Sequence, residues 1–346
     1  MPPDRTYHIR PVLDGETLAA AVRILLKDVS WAQARQLVRA RKVQVNGNLC
    51  LDDARRVKAG DVVKVFDHAR APVPTERDVR VRHVDGDVIV IEKPPGITTL
   101  RHAEERGWDA DRRNRQPTLE EIVQRLAPAP VPSKSGGKPG RPVRRSRPAP
   151  AVRAVHRLDR DTSGLMVFAL SPRAEQVLIE RFKAHAITRR YVAVVHGRVG
   201  APRTIESYIV RDRGDGLRGS SPRGADDPDA QRAVTHVRPV EHLGGGGAYT
   251  VVECELETGR THQIRIHLSE AGHMLCGERV YTRPRPGAEP ARDDSGAPRQ
   301  ALHSARLELD HPVTGQRLAF TSDLPKDLRT WLDGLLRVNG TGGPPA

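Results

Sequence analysis

Aromatic residues are scarce in this chain: 3% of 346 residues, as 3 Trp, 5 Tyr and 4 Phe. A surface that grips single strands by stacking bases on rings is therefore not expected. The 3 cysteines, Cys50, Cys254 and Cys276, are scattered and form no CxxC pair. Neither a disulfide framework nor a zinc site is suggested by that pattern. No run reaches the ~18 apolar residues of a membrane span, and the opening MPPDRTYHIR lacks the apolar stretch of a secretory leader. A reduced, cytoplasmic protein with no membrane partner is the expectation.

Positive charge is plentiful. Lys and Arg number 57 against 43 Asp and Glu, giving a net charge of +14 and a pI near 10.3. Such a balance suits a polyanion: RNA, DNA or an acidic membrane surface. A GC-rich coding sequence, which favours Arg everywhere, is the bland alternative. The length suits about two domains.

Residues 5–67 read as a compact module. GETLAAAVRILLKD places Leu18, Val22, Leu25 and Leu26 on a helical spacing. Ser30 then caps SWAQARQLVRARK, in which Trp31, Ala34 and Val38 form an inner stripe. Arg35 and Arg39 form a neighbouring outer stripe, with Arg41 and Lys42 at its end. These four cations are candidates for phosphate contacts, which give affinity without sequence choice. VQVNGNLC signals a hairpin at Asn46-Gly47. Two short helices followed by a small hairpin sheet resemble the alpha-L RNA-binding motif of a ribosomal small-subunit protein and of several RNA-modifying enzymes.

Further on, strands dominate. VIVIEKPPG is a buried strand with a sharp stop, and Thr118 with Glu121 forms a capping box before a helix. A Pro/Gly/Ser-rich stretch, about 129–150, carries basic residues without acids between Ser133 and Arg147 and reads as a disordered basic insert. Ser171 caps a helix, RRYVAVVHG is a strand, and Thr261 is the expected cap of THQIRIHLSEAG, which Gly272 ends. The tetraglycine at 244–247 has no strand–GxGxxG–helix context, and residues 285–299 read as a loop. ALHSARLELDHPVTGQRLAF is a hairpin turning at Pro312–Gly315. Strands mixed with few helices predict an α+β domain rather than a doubly wound sheet.

The stretch HRLDRDTSG, at 156–164, sets Asp159 between Arg157 and Arg160. Neighbouring cations oppose the raised pKa of a general acid. They favour an ionised base or nucleophile. Asp161, two positions on, leaves shared metal ligation open, although no His/Asp/Glu set with ligand spacing accompanies it. A salt-bridged surface turn is the default for RLDRD alone. His262 and His267 are five apart, off the i,i+4 spacing of a helical metal pair, and are expected to be structural.

HRLDRDTSG resembles the signature of the RluA-type pseudouridine synthases, which isomerise uridine in ribosomal or transfer RNA. EKPPG at 92–96, RRYVAVVHG, AVTHVRPVE, ETGRTHQIRIHL, GHMLCG and ALHSARLELDHPVTG resemble further family segments in the family's order. With the leading module, the resemblance covers nearly the whole chain outside its inserts. Arg189 stands where Lys is frequent, Met274 where Pro is usual and Glu278 where Asp is usual.

The resemblance implies an α+β fold: a mainly antiparallel catalytic domain at 81–335 behind a small α/β RNA-binding domain at 1–68, with a linker at 69–80 and a tail at 336–346. It implies Asp159 as the catalytic aspartate, Tyr191 as the residue stacked on the uracil, and Arg265 as the partner of the aspartate. Arg157 would fill the space of the flipped base. Thr162, Ser163 and Gly164 would shape the loop, with His156 supporting it by hydrogen bonding. Isomerisation neither adds nor removes electrons, so no cofactor and no metal are expected. The expected partner is RNA, ribosomal ahead of transfer RNA, bound by a monomer.

Overall fold

The computed structural model describes residues 5–46, 48–67, 69, 72–101, 105, 107–127, 151–244 and 248–340. The basic insert at 129–150, most of the tetraglycine and the last six residues of the tail lie outside the described residues. The chain forms two compact units, Met1–Thr75 with Gly96–Glu121, and Glu76–Pro95 with Ile122–Ala346.

The first unit opens with β1 (Arg5–His8), α1 (Leu18–Leu26), α2 (Trp31–Arg39), β2 (Val43–Val45), β3 (Asn48–Leu49) and β4 (Val62–Val65). Its strands run in the order β1-β4-β2-β3. Ser30 caps α2 with a reciprocal bond from Gln33, a full capping box. Leu18, Val22, Ala34 and Val38 meet Val43, Val45 and Val63 in one buried cluster. Each fully buried aliphatic side chain contributes roughly 1.5–3 kcal/mol. Asn46 takes a φ of 52° at the β2–β3 turn, a left-handed conformation that Asn tolerates.

Trp31 departs from the expected inner stripe: it is 45% exposed. It is the first helical residue, and the Arg23 guanidinium lies 5.2 Å from its ring, so the indole is covered by a cation instead of the core. Residues 96–121, which the sequence boundary at 81 assigned to the catalytic domain, cluster with this first unit. They include α3 (Ala110–Arg115) and the start of α4 (Leu119–Leu126). Arg101 and Arg55 both flank Trp108 there, at 5.3 and 6.0 Å. Thr118 and Glu121 form the expected capping box.

The second unit is built on one 11-stranded sheet. Its strands are β5 (Arg80–Val84), β6 (Val88–Lys93), β7 (Arg153–Ala154), β8 (Ser163–Ala169), β9 (Thr188–His196), β10 (Arg203–Val210), β11 (Gly219–Ser220), β12 (Gln231–Leu243), β13 (Tyr249–Leu256), β14 (Leu302–Asp310) and β15 (Arg317–Thr321). The main path runs β11-β10-β12-β13-β9-β14-β8-β6-β5, with β15 on β14 and β7 on β8. Among the described residues only β8 and β14 pair in parallel; the fold is α+β and mainly antiparallel. Helices α5 (Pro172–Lys183), α6 (Gln263–Glu270) and α7 (Lys326–Gly340) accompany the sheet. Strand β8 is buried along its whole length, as an apolar run covered on both faces should be. Ala174 and Leu178 of α5 pack on Leu165, Val167 and Ala169. The 285–299 stretch is a loop, as read.

The parallel pair fixes where the 156–164 turn meets β14. Gly164 opposes Ser304 in the register at a φ of +116°, and a Cβ there would lie 2.2 Å from the Ser304 carbonyl oxygen. Only glycine allows the 156–164 turn to enter the sheet beside β14.

Candidate active site

Asp159 lies in the turn that leads into β8, where the Thr162 amide closes a bond of 3.2 Å on its carbonyl. The turn is held from below by its own backbone. Lys93, 1% exposed, donates to the carbonyls of Pro94 at 3.0 Å, Arg160 at 2.8 Å and Thr162 at 2.8 Å. Arg299 donates to the Asp161 carbonyl at 2.8 Å and to the Ser163 hydroxyl at 3.0 Å. The Gln300 amide donates to the Thr162 hydroxyl at 2.8 Å, and Ser163 bonds His303 at 2.9 Å. Thr162 and Ser163 are buried. With its carbonyls and hydroxyls thus taken, the turn holds the Asp159 carboxylate in place. Burial pushes Lys93 down to about 7, with Asp161 opposing and Arg299 reinforcing that shift.

The carboxylate meets α6. Arg265 Nη1 donates to Asp159 Oδ2 at 3.2 Å. The same guanidinium forks onto Glu278 through Nε at 2.8 Å and Nη2 at 2.7 Å. Glu278 Oε1 also accepts the amides of Arg279 and Val280, both at 2.9 Å. Burial would raise the Asp159 pKa, but His262, Arg265 and Arg157 outweigh it and hold the carboxyl below its usual range. His262 Nε2 is 3.8 Å from Asp159 Oδ1. Burial keeps that imidazole near 4 despite the carboxylate, so it is neutral at pH 7. The lasting countercharge is therefore the guanidinium. Glu278, itself held ionised against burial by Arg265, fixes that guanidinium as a planar fork.

Strand β9 alternates its faces, which places Arg189 and Tyr191 on one side, both buried. They line the same cavity of about 430 Å³ as Asp159, Arg265, Arg157 and His262. Burial raises the Tyr191 phenol above its ordinary value. Arg157 is exposed at the cavity wall. Among the described residues Asp159 is the sole carboxylate lining the cavity, against five cations, Arg157, Lys183, Arg189, Arg260 and Arg265.

Asp159, Tyr191, Arg265 and Arg157 thus meet in one place, with Thr162, Ser163 and Gly164 in the supporting turn. His156 lines the same cavity. Its Nε2 accepts from the Val167 amide of β8 at 3.1 Å, and it stacks on Phe182 at 4.7 Å. His267 is structural, bonded to Thr235 and Ser207. His262, expected to be structural, lines the cavity 3.8 Å from Asp159. It is the N-cap of α6 in place of Thr261, at a φ of 62°, and it bonds the Tyr281 hydroxyl at 2.7 Å.

In the first unit, Arg35 is exposed and without a protein partner among the described residues. Arg39 pairs with Asp53 at 3.0 Å, and Lys42 donates to the Asp67 carbonyl at 2.8 Å. Arg41 follows α2 with a φ of 61°. The four cations are therefore not one uniform stripe.

Sequence reasoning missed Lys93, Arg299 and Gln300, and it named Glu278 and His262 without placing them beside Asp159. Glu278 carried a signal, as an acid where the resemblance expects one. The others act by donating to backbone or by lying near in space, which no spacing encodes.

The profile of the RNA pseudouridylate synthase family matches residues 87–270, and that of the S4 domain matches 17–63. The chain is 31% identical over 332 residues to the ribosomal large subunit pseudouridine synthase D of Yersinia pestis, covering 93% of this chain and 91% of that one. It is 32% identical over 317 residues to the uncharacterized RNA pseudouridine synthase YlyB of Bacillus subtilis, covering 90% and 91%. The structure of human RNA pseudouridylate synthase domain containing 4 aligns with a TM-score of 0.53 at 22% identity, over 74% of this chain and 92% of that one, a likeness of fold.

Proposed function

Because the chain belongs to the RNA pseudouridine synthase family, with an S4 domain near its N-terminal end, we propose that it isomerises uridine to pseudouridine in large-subunit ribosomal RNA, with Asp159 acting on the ribose. The observation that carries this reading is the single carboxylate among five cations in one cavity, ion-paired to Arg265 at 3.2 Å. The names of the relatives, ribosomal large subunit pseudouridine synthase D among them, support the choice of RNA.

In the reaction the N1–C1′ bond breaks, the uracil turns while bound, C5 bonds to C1′, and the C5 proton leaves while N1 gains one. Asp159 either attacks C1′ or removes the C2′ proton. Both routes need it ionised, and Arg265 supplies the charge that keeps it so. Tyr191 stacks on the uracil, and its neutral phenol suits that apolar role. Arg157, free at the wall, occupies the gap in the RNA left by the extruded nucleotide, whose extrusion costs a few kcal/mol. We assign RNA contacts to residues 1–68, with Arg35 foremost, and chemistry to residues 81–335, acting as a monomer in the cytoplasm. A hydrolytic glycosidase needs a second carboxylate as acid, which the described cavity wall lacks.

The test is tritium release from large-subunit ribosomal RNA and from transfer RNA labelled at uridine C5. Release from the ribosomal RNA by wild type, absent in Asp159→Ala, is the expected result. Preferential release from transfer RNA overturns the substrate, free uracil indicates hydrolysis, and binding without release indicates a scaffold.

A further inference from the structure

Four arginines of the described residues are buried: Arg189, Arg213, Arg265 and Arg299. Three have carboxylate partners. Arg213 pairs with Asp215 and Glu270, Arg265 with Asp159 and Glu278, and Arg299 with Asp327. Arg189, only 6% exposed, has no carboxylate within ion-pair distance among the described residues. Its Nη2 donates to the backbone carbonyls of Glu257 at 2.9 Å and Leu256 at 3.4 Å. Its Nε is buried with no partner.

An unanswered buried guanidinium is expensive, because the charge loses water and Arg does not shed its proton. The fold nonetheless builds a place for it. Gly259 leaves the space, since a Cβ there would lie 2.6 Å from Arg189 Nη1. The Phe182 ring faces the guanidinium at 5.4 Å. His156, on the same ring, is kept neutral at about 3 by burial and then by Arg189 itself, so it does not add a competing cation. Arg189 is two residues from Tyr191 on one face of β9 and lines the cavity with it.

We propose that Arg189 receives a backbone phosphate of the RNA strand next to the target uridine, the anion that completes its missing ion pair. The assignment rests on the function proposed above, which puts a nucleotide in this cavity. A phosphodiester fits better than a carboxylate ligand because the RNA brings one on each side of the base. Lys183 and Arg260 on the same wall draw that backbone toward the cavity.

The probe is an RNA hairpin cut from the modified region of large-subunit ribosomal RNA, with a neutral methylphosphonate replacing one linkage at a time around the target. Wild type is expected to lose about ten-fold to a hundred-fold in KM at one linkage. Arg189→Gln is expected to show that loss with the unaltered hairpin, to keep kcat within a few-fold, and to lose nothing more with the neutral linkage. Its salt slope should fall by about 1, and Arg189→Lys should restore most of the binding. Additive losses in the variant, or a wild type indifferent to every flanking linkage, overturn the proposal. The wild-type series stands even if Arg189→Gln does not fold. Absence of tritium release by wild type from the unaltered hairpin defeats instead the functional reading on which this rests, and the proposal with it.

Discussion

Glu278 and Arg265 together decide whether Asp159 can stay charged in a buried site. The fork of Glu278 onto Arg265, at 2.8 and 2.7 Å, leaves Nη1 as the donor to Asp159. Glu278→Gln removes the buried countercharge and one acceptor. Stability should fall toward the ~3–5 kcal/mol typical of a broken buried pair, read from denaturant midpoints, and single-turnover tritium release should slow. A second residue-scale expectation concerns Gly164. Gly164→Ala forces a Cβ into the Ser304 carbonyl at 2.2 Å, so destabilisation of about 4 kcal/mol or more is expected from the same unfolding measurement. At this scale the sequence told much. The motif pointed to Asp159, and the resemblance pointed to Tyr191 and Arg265. The place of His262 beside Asp159 was not legible, because helical spacing does not describe its left-handed N-cap position.

At the scale of elements, the candidate site is a turn braced by residues from distant strands and loops. Lys93 ends β6, while Arg299 and Gln300 precede β14. All three act on the 160–163 backbone or its hydroxyls. Lys93→Met keeps the apolar stem but leaves three carbonyls without their donor. It is expected to preserve the circular dichroism spectrum while slowing tritium release by about ten-fold to a hundred-fold, the usual effect of a misplacement near 1 Å. Caps and strand alternation were legible from sequence, Ser30, Thr118 and Ser171 among them, because they depend on near neighbours. The parallel β8–β14 pairing was not, because it joins residues 163–164 to 303–304 across most of the second unit. Trp31 misled for another reason: pattern assigns a large apolar residue to the core, whereas Arg23 covers it at the surface.

For the whole molecule, the net charge of +14 acts through particular sites. Arg39 and Lys42 have protein partners, although exposed pairs of that sort are weak, at about 0–1 kcal/mol. Arg35 has none among the described residues. Arg35→Ala should raise Kd for ribosomal RNA without changing kcat, and should lower the slope of log K against log salt by about 1, as filter binding at several salt concentrations would record. Composition announced a polyanionic partner but could not distinguish cations held by carboxylates from those left for phosphate. That distinction is three-dimensional, and the contrast between Arg189 and Arg265 depends on it.

The pH dependence of single-turnover tritium release, compared between wild type and Arg265→Gln, bears most directly on the claim that Asp159 works as a charge-stabilised carboxylate. In wild type the depressed pKa keeps Asp159 ionised, so below the Lys93 pKa of about 7 the rate should stay flat from about pH 6 down to about pH 5, its acid limb lying below the ordinary ~3.9 of Asp. In Arg265→Gln burial is no longer offset, the pKa rises, and the rate should fall within that window as the pH drops through it. Coincident acid limbs in the two proteins, or a wild-type acid limb above about pH 5, would contradict the account.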